Sequence, residues 1–217
     1  MGIPSYFEAD NIKDAIIGSR QGYVTPYDLK SYETATAILK AEIDIIERKR
    51  SEQFDFVRQV SLGRVLLVGE GNLSFTRSLL NFSRINRANI TTTTFEQGSG
   101  LTAEAQENAL YLKRNGVSVL HGVNARKLSV IFGGAKFKTI VFQFPNMGKR
   151  GSSEGRNPNY ILVRDFLKSA AEHIPQNGRV LISAVDSPHY QGAFQFDLAA
   201  KRARYLPPLV YAFNPKR

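Results

Sequence analysis

Apolar and polar positions along this chain follow two periods, and the change between them falls near residue 62. Between residues 32 and 57, Ala35, Ile38, Leu39, Ile43, Ile46 and Phe54 recur at mostly helical spacing among Glu, Lys and Arg. That spacing predicts an amphipathic helix. Ser31, followed by Glu33 and Thr34, reads as its start, and Gly63 stops the pattern. Residues 11–17 predict a shorter helix, with Gly18, Gly22 and Pro26 as loop punctuation. No chemical motif lies in residues 1–61. They read as a helical extension, either a cap or dimerisation element on the main body or a hairpin that only covers sheet edges.

From residue 64 short apolar runs alternate with amphipathic stretches. Residues 64–68 form a run of the kind a strand buried on both faces requires. Residues 75–82 then predict a helix. Residues 89–95, with threonine at each position from Thr91 to Thr94, predict a second, β-branched strand. A helix over 102–115 ends at Gly116, and a third strand covers 117–121. A short helix follows over 125–132, then a fourth strand over 139–144. Residues 160–173 predict a helix closed by the stretch from Pro175 to Gly178, and 179–185 a fifth strand. Beyond Gly192 the pattern weakens; Pro207, Pro208 and Pro215 favour loop or edge strand, and residues 209–213 can complete the sheet. Such alternation predicts an α/β fold: a Rossmann-like, mostly parallel sheet with helices on both faces over residues 62–217, joined by right-handed crossovers.

Composition narrows the class. The chain has 217 residues, 42% hydrophobic and 22% charged, which is ordinary globular usage. No apolar run approaches the roughly 18 residues needed to cross a bilayer, and the first ten residues carry no basic flank before an apolar stretch, so neither a membrane span nor a secretory signal is expected. Cysteine is absent. That removes disulfides and thiolate chemistry and fits a reducing compartment, so the expected location is the cytoplasm, or the nucleolus in a eukaryote. Lys and Arg number 29 against 19 Asp and Glu, a formal charge of +10 that attracts polyanions such as RNA. The basic residues are scattered, and solubility alone is the alternative explanation. His121, His173 and His189 are not spaced with carboxylates as metal ligands are, so no metal is expected.

Ligands of open parallel sheets sit beyond the carboxyl ends of the strands. After the first strand, Gly69 and Gly71 flank Glu70, then come Asn72, Leu73, Ser74 and Phe75. The glycines let backbone turn tightly and approach a ligand, and Ser74 is placed to cap the next helix. A third glycine, expected of a dinucleotide loop, is replaced by Ser74. Glu70 would repel phosphate, so a zwitterionic or cationic ligand suits the loop better. Glu96, closing the second strand, can accept the ribose hydroxyls of an adenosine, or be a surface carboxylate. Asn124 after the third strand can donate its amide to an adenine ring, or cap the helix that starts at Ala125. After the fourth strand stand Gln143, Phe144, Pro145 and Asn146, whose carbonyls and amides can orient an N–H. From Asn146 to Arg156 runs a basic loop jointed at Gly148, Gly151 and Gly155, a candidate gate on the substrate side. After the fifth strand, Asp186, Ser187, Pro188, His189 and Tyr190 can line the same side.

Three blocks of this sequence resemble one family. Val68-Gly69-Glu70-Gly71-Asn72-Leu73-Ser74-Phe75, the stretch from Leu120 to Leu128, and Phe142-Gln143-Phe144-Pro145-Asn146-Met147-Gly148 are similar to the Rossmann-like ribosomal RNA uridine-N3 methyltransferases. The likeness spans about residues 64–190. Members of that family carry aspartate where Asn72 and Asn124 stand here, asparagine at Gln143 and histidine at Asn146. The resemblance implies S-adenosylmethionine bound by Gly69, Glu70, Gly71, Glu96 and Asn124, with Asn72, Ser74, Phe75, Ala125 and Phe144 beside them. Gln143, Pro145 and Asn146 are then the catalytic candidates. Lys149, Arg150, Arg156, His189 and Tyr190 are the candidates for holding an RNA substrate, in the first place ribosomal RNA. Two other readings stay open: methyl or aminopropyl transfer to a small molecule, with the N-terminal helices as a lid, and a non-catalytic cofactor- or RNA-binding module. A homodimer through residues 1–61 is compatible with each.

Overall fold

The computed structural model describes residues 31–41, 54–148, 155–185 and 192–211. The chain divides into two compact units, residues 55–209 and a second formed by residues 1–54 with 210–217. In the second unit a helix, α1, covers residues 31–41. Ala35 is buried while Ile38 and Leu39 stay exposed, and the Phe54 and Tyr211 rings stack with centroids 4.7 Å apart. The homodimer reading draws no support from these residues. The expected helix over 11–17 lies outside the described residues.

The helix expected over 32–57 is interrupted. Asp55 is extended and its carboxylate accepts from Arg58 N at 2.9 Å, capping a new short helix, α2 (Phe56–Ser61). An N-cap carboxylate of this kind satisfies one of the first N–H groups of the helix it precedes. Helix α2 belongs with the sheet: Val60 is buried in its core, and Gln59 Nε2 donates to Thr139 Oγ1 at 2.9 Å.

Five strands form one all-parallel sheet in the order β3-β2-β1-β4-β5. They are β1 (Val65–Val68), β2 (Ile90–Thr93), β3 (Ser118–Leu120), β4 (Thr139–Gln143) and β5 (Arg179–Ser183). The helices between them are α3 (Ser74–Leu79), α4 (Ala103–Arg114), α5 (Ser129–Phe132), α6 (Pro158–Ala171) and, after β5, α7 (Phe196–Arg202). Alternate residues of a strand face opposite sides, and here each side has its own core. Leu66, Val68, Ile140 and Phe142 meet Val163, Phe166 and Ala199 from α6 and α7. Val65, Leu67, Ile90 and Val141 meet Leu79, Ala109 and Leu112 from α3 and α4. Burial on both sides is why β1 reads as an unbroken apolar run, each side chain contributing roughly 1.5–3 kcal/mol.

The buried threonines at and just after the end of β2, Thr92 to Thr94, have their hydroxyls paired, which offsets the cost of burying them. Thr93 Oγ1 donates to Leu67 O at 3.1 Å, Thr94 Oγ1 to Glu96 O at 2.7 Å, and Thr76 Oγ1 lies 2.9 Å from Thr92 Oγ1. Helix α4 is capped by Thr102 Oγ1, which accepts from Ala105 N at 3.1 Å, and stops at Gly116, whose φ of +82° only glycine adopts freely. Two expectations near the C-terminus need correction. Residues 209–211 form no strand, since Pro207 and Pro208 lack the N–H groups a ladder requires, and residues 212–213 lie outside the described residues. Helix α7, which the sequence reading left out, packs Ala199 and Ala200 into the core.

Candidate functional site

The order 3-2-1-4-5 reverses direction between β1 and β4, so the loops that follow these two strands leave the sheet in opposite directions and open a crevice. Val68 pairs with Phe142, so the glycine loop and Gln143 emerge side by side. Gly69 has φ +68°, and a Cβ there would stand 2.8 Å from the Phe142 ring. Glycine is needed at that point for close approach of strand and loop. A Cβ on Gly71 would meet nothing within 4 Å; this is the open side of the loop.

Helix α3 begins differently from the expectation. Its N-cap is Leu73, left-handed at φ +62° and offering no side-chain acceptor. Ser74 is the first helical residue, and its N–H and hydroxyl both donate to Asn72 Oδ1, at 3.1 and 2.8 Å. Glu70 is turned inward, against the expectation that its carboxylate meets the ligand. It is 5% exposed and accepts from Thr76 N at 3.0 Å and Thr76 Oγ1 at 2.8 Å. Burial pushes its pKa up to about 7, the Thr76 bonds opposing. Phe75 packs edge-on against Phe56, ring centroids 5.7 Å apart, rather than facing the crevice.

The ends of β2 and β3 are tied together. Gly122 N donates to Glu96 O at 3.1 Å and Val123 N to Thr94 O at 2.9 Å. His121 Nδ1 lies 2.8 Å from Thr94 Oγ1, and burial, then the charge of Lys113, lowers its pKa. The Glu96 carboxylate is exposed and bonds to no other described residue. Asn124 does cap: its Oδ1 accepts from Arg126 N at 2.9 Å, which leaves its Nδ2 to donate elsewhere. Ala125 is buried behind it. Arg126 in turn reaches Asp165 of α6 through Nε and Nη2 at 3.1 and 2.6 Å. Burial disfavours that carboxylate's charge, but the hydrogen bonds from Arg164 and Arg126 outweigh it and hold Asp165 below its ordinary pKa.

At the end of β4, Gln143 is half-buried. Phe144 takes φ +48° and is 58% exposed, a strained conformation for a bulky residue, fixed by Phe144 N donating to Ser183 O at 2.8 Å. Pro145 is buried. Asn146 Oδ1 accepts from Gly148 N at 2.9 Å, so its Nδ2 is left as a donor. Phe144, Pro145 and Asn146 line a shallow pocket with Ala184, Val185 and Phe194. Arg156 lies over the Tyr160 ring, 5.3 Å from its centroid. Lys149, Arg150, His189 and Tyr190 lie outside the described residues. The sequence reading missed Thr76, Asn108, Ala184, Val185 and Phe194. For Asn108 a signal existed, a polar residue on the buried stripe Ala105, Asn108, Ala109, Leu112. Thr76 and Phe194 enter through tertiary packing that no local pattern announces.

An adenosine with an amino-acid tail can be tested against these groups. The loop presents backbone at Gly71 with open space above it and carries no Lys or Arg, so it lacks the cations of a phosphate clamp. Among the described residues nothing pairs with the Glu96 carboxylate or the Asn124 amide N–H, so the first can take hydroxyls and the second can donate to a ring nitrogen. The residues present fit such a group. Among the described residues no three His, Asp or Glu gather to hold a metal ion, and no helix is long and apolar enough to cross a membrane.

A five-stranded parallel sheet in this order, with a Gly-x-Gly loop after β1 and an acidic residue after β2, is a Rossmann-like fold. The family model described as BMT5-like, rRNA (uridine-N3-)-methyltransferase BTM5-like, matches residues 66–216, and the chain belongs to that family. Membership implies use of S-adenosylmethionine. An uncharacterized protein of Arabidopsis thaliana is 34% identical over 134 residues, covering 57% of this chain and 63% of its own. The ferredoxin-fold anticodon-binding domain-containing protein 1 homolog of Mus musculus is 33% identical over 124 residues, 55% of this chain and 19% of its own. The chain thus spans less than two thirds of the length of these relatives. The crystal structure of Streptomyces venezuelae DesVI aligns at 18% identity with a TM-score of 0.38, over 69% of this chain and 50% of that one.

Proposed function

We propose that this protein transfers a methyl group from S-adenosylmethionine to a base nitrogen of RNA, of the uridine-N3 kind, with ribosomal RNA the first candidate. The observation that carries the reading is the adjacency fixed by the Val68–Phe142 register. It sets Gln143 at the end of β4 beside an open glycine loop, and the residues that follow, with the exposed ring of Phe144 and the amide of Asn146, line a small pocket. Gly69, Gly71 and Asn72 would hold the cofactor by backbone, Glu96 its ribose, Asn124 and Ala125 its adenine. When bound, S-adenosylmethionine supplies a methyl group made electrophilic by its sulfonium.

What remains for the chain is alignment, which contributes several kcal/mol to such a displacement. Phe144 and Pro145 give a planar ring a wall to lie on. Asn146 Nδ2 donates to a ring carbonyl, and Gln143 Oε1 accepts the neighbouring N–H. The acceptor nitrogen would bond to the methyl carbon as the carbon–sulfur bond breaks, leaving S-adenosylhomocysteine as a neutral thioether, and the N–H proton would pass to water. An imide N–H is acidic enough that no strong base is required. The +10 charge supports RNA as the polymer that presents the base. A base within a duplex would first have to be flipped out. Arg156, with Lys149 and Arg150, would meet the phosphates, and cytoplasm or nucleolus is the matching location.

The test is incubation with methyl-labelled S-adenosylmethionine and total RNA, followed by digestion to nucleosides. Label in a methylated uridine supports the proposal. Label confined to small molecules, or none in either fraction, overturns it.

A further inference from the structure

The glycine loop is bent twice against the preference of L-residues. Gly69 at φ +68° absorbs one bend at no cost, but the other falls on Leu73, at φ +62° with its side chain wholly buried. A strained conformation persists only where its surroundings over-determine it. Here two buried polar side chains do so, one bonded before Gly71 in the chain and one after it. Before it, Glu70 N donates to Thr93 O at 2.9 Å while its carboxylate takes both the N–H and the hydroxyl of Thr76. After it, Asn108 of α4 donates Nδ2 to Asn72 O at 2.8 Å and accepts from Arg77 Nη1 at 2.7 Å.

The arrangement follows from the N-cap. A leucine there cannot satisfy the first N–H groups of α3, so acceptors are borrowed from the loop: Asn72 takes Ser74 and Glu70 takes Thr76. The same bonds that start the helix therefore fix the loop. Glu70 and Asn108 are 5% and 2% exposed. Polar groups so buried are costly unless paired, and these bonds lie on either side of Gly71. Neither residue reaches the open side where Gly71 has room above it.

We propose that Glu70 and Asn108 are positioning residues that hold the glycine loop in its strained, ligand-ready shape before a ligand arrives. Ordering the loop in advance removes that cost from binding. The inference rests on the reading that S-adenosylmethionine binds at Gly71, but the lock itself is a property of the free protein and can be measured without ligand.

The experiment compares the full chain with its Glu70→Ala, Asn108→Ala and Glu70→Gln variants by amide hydrogen exchange and by calorimetric titration with S-adenosylhomocysteine. In both alanine variants the amides of residues 70–76 should exchange roughly tenfold faster or more, with β4 and β5 unchanged, and affinity should fall by about tenfold or more. Glu70→Gln keeps an acceptor for the Thr76 N–H and a donor for its hydroxyl, so it should stay within about threefold of wild type on both measures. Unchanged loop exchange in both alanine variants overturns the lock. Faster exchange with unchanged affinity overturns its role in binding. If Glu70→Ala does not fold, Asn108→Ala and Glu70→Gln still decide. If wild type does not bind S-adenosylhomocysteine, the cofactor reading fails while exchange still judges the lock.

Discussion

Glu96 and Glu70 follow adjacent strands and meet opposite surroundings. Glu96 is exposed, and its carboxylate pairs with no other described residue. Losing one charge-assisted hydrogen bond costs roughly 1.5–3 kcal/mol, so Glu96→Ala should weaken S-adenosylhomocysteine binding on the order of tenfold to a hundredfold by titration. A loss below about twofold would make it a surface carboxylate only. Glu70 is buried, and burial lifts its pKa from 4.5 to about 7. Its proton is held more tightly folded than unfolded. Its contribution to stability is therefore fully present below about pH 4.5 and is lost as pH rises through about 7. The loss is on the order of 3 kcal/mol. Denaturant titrations at pH 5 and pH 8 should show wild type losing stability that Glu70→Gln retains; parallel pH profiles for the two proteins would contradict this.

The elements were legible where pattern and local chemistry agree. Strands β1 to β5 and the helices between them follow from apolar and β-branched runs and from Gly116 as a stop; Thr102, within the helix expected over 102–115, is its N-cap. The break at Asp55 was hidden because Phe54 and Val57 continue the apolar spacing, and only a side-chain hydrogen bond to Arg58 reveals a new helix start. Helix α7 was hidden behind the prolines that follow it. The placement of the glycines and of Glu96 at the ends of β1 and β2 could be read from the pattern. The inward turn of Glu70 could not, because it depends on Thr76 of α3, and Asn108 showed only as a polar residue on the buried stripe of α4, its bond to Asn72 O being set by tertiary packing. Phe144 belongs to this scale too, since its strained φ is set by β4 ending against β5. Phe144→Gly relieves the strain but adds chain entropy, so stability should change by no more than about 1 kcal/mol. In a steady-state methylation assay KM for RNA should rise at least severalfold while affinity for S-adenosylhomocysteine holds. An unchanged KM would remove Phe144 from the acceptor pocket.

For the whole molecule, the charge of +10 and the crevice between β1 and β4 are the features that bear on function. If four to six phosphates are contacted, RNA affinity should fall with a log–log salt slope of about −3 to −5. A flat dependence would point to a small-molecule acceptor instead. The most direct test of the account is calorimetric titration of S-adenosylhomocysteine into wild type and Gly71→Val. A Cβ at Gly71 meets no protein atom within 4 Å, so valine there intrudes chiefly on the ligand's space. Wild type should bind one equivalent, and the variant should lose binding while keeping its melting temperature. No binding by wild type, or equal affinity in a folded Gly71→Val protein, would contradict the account.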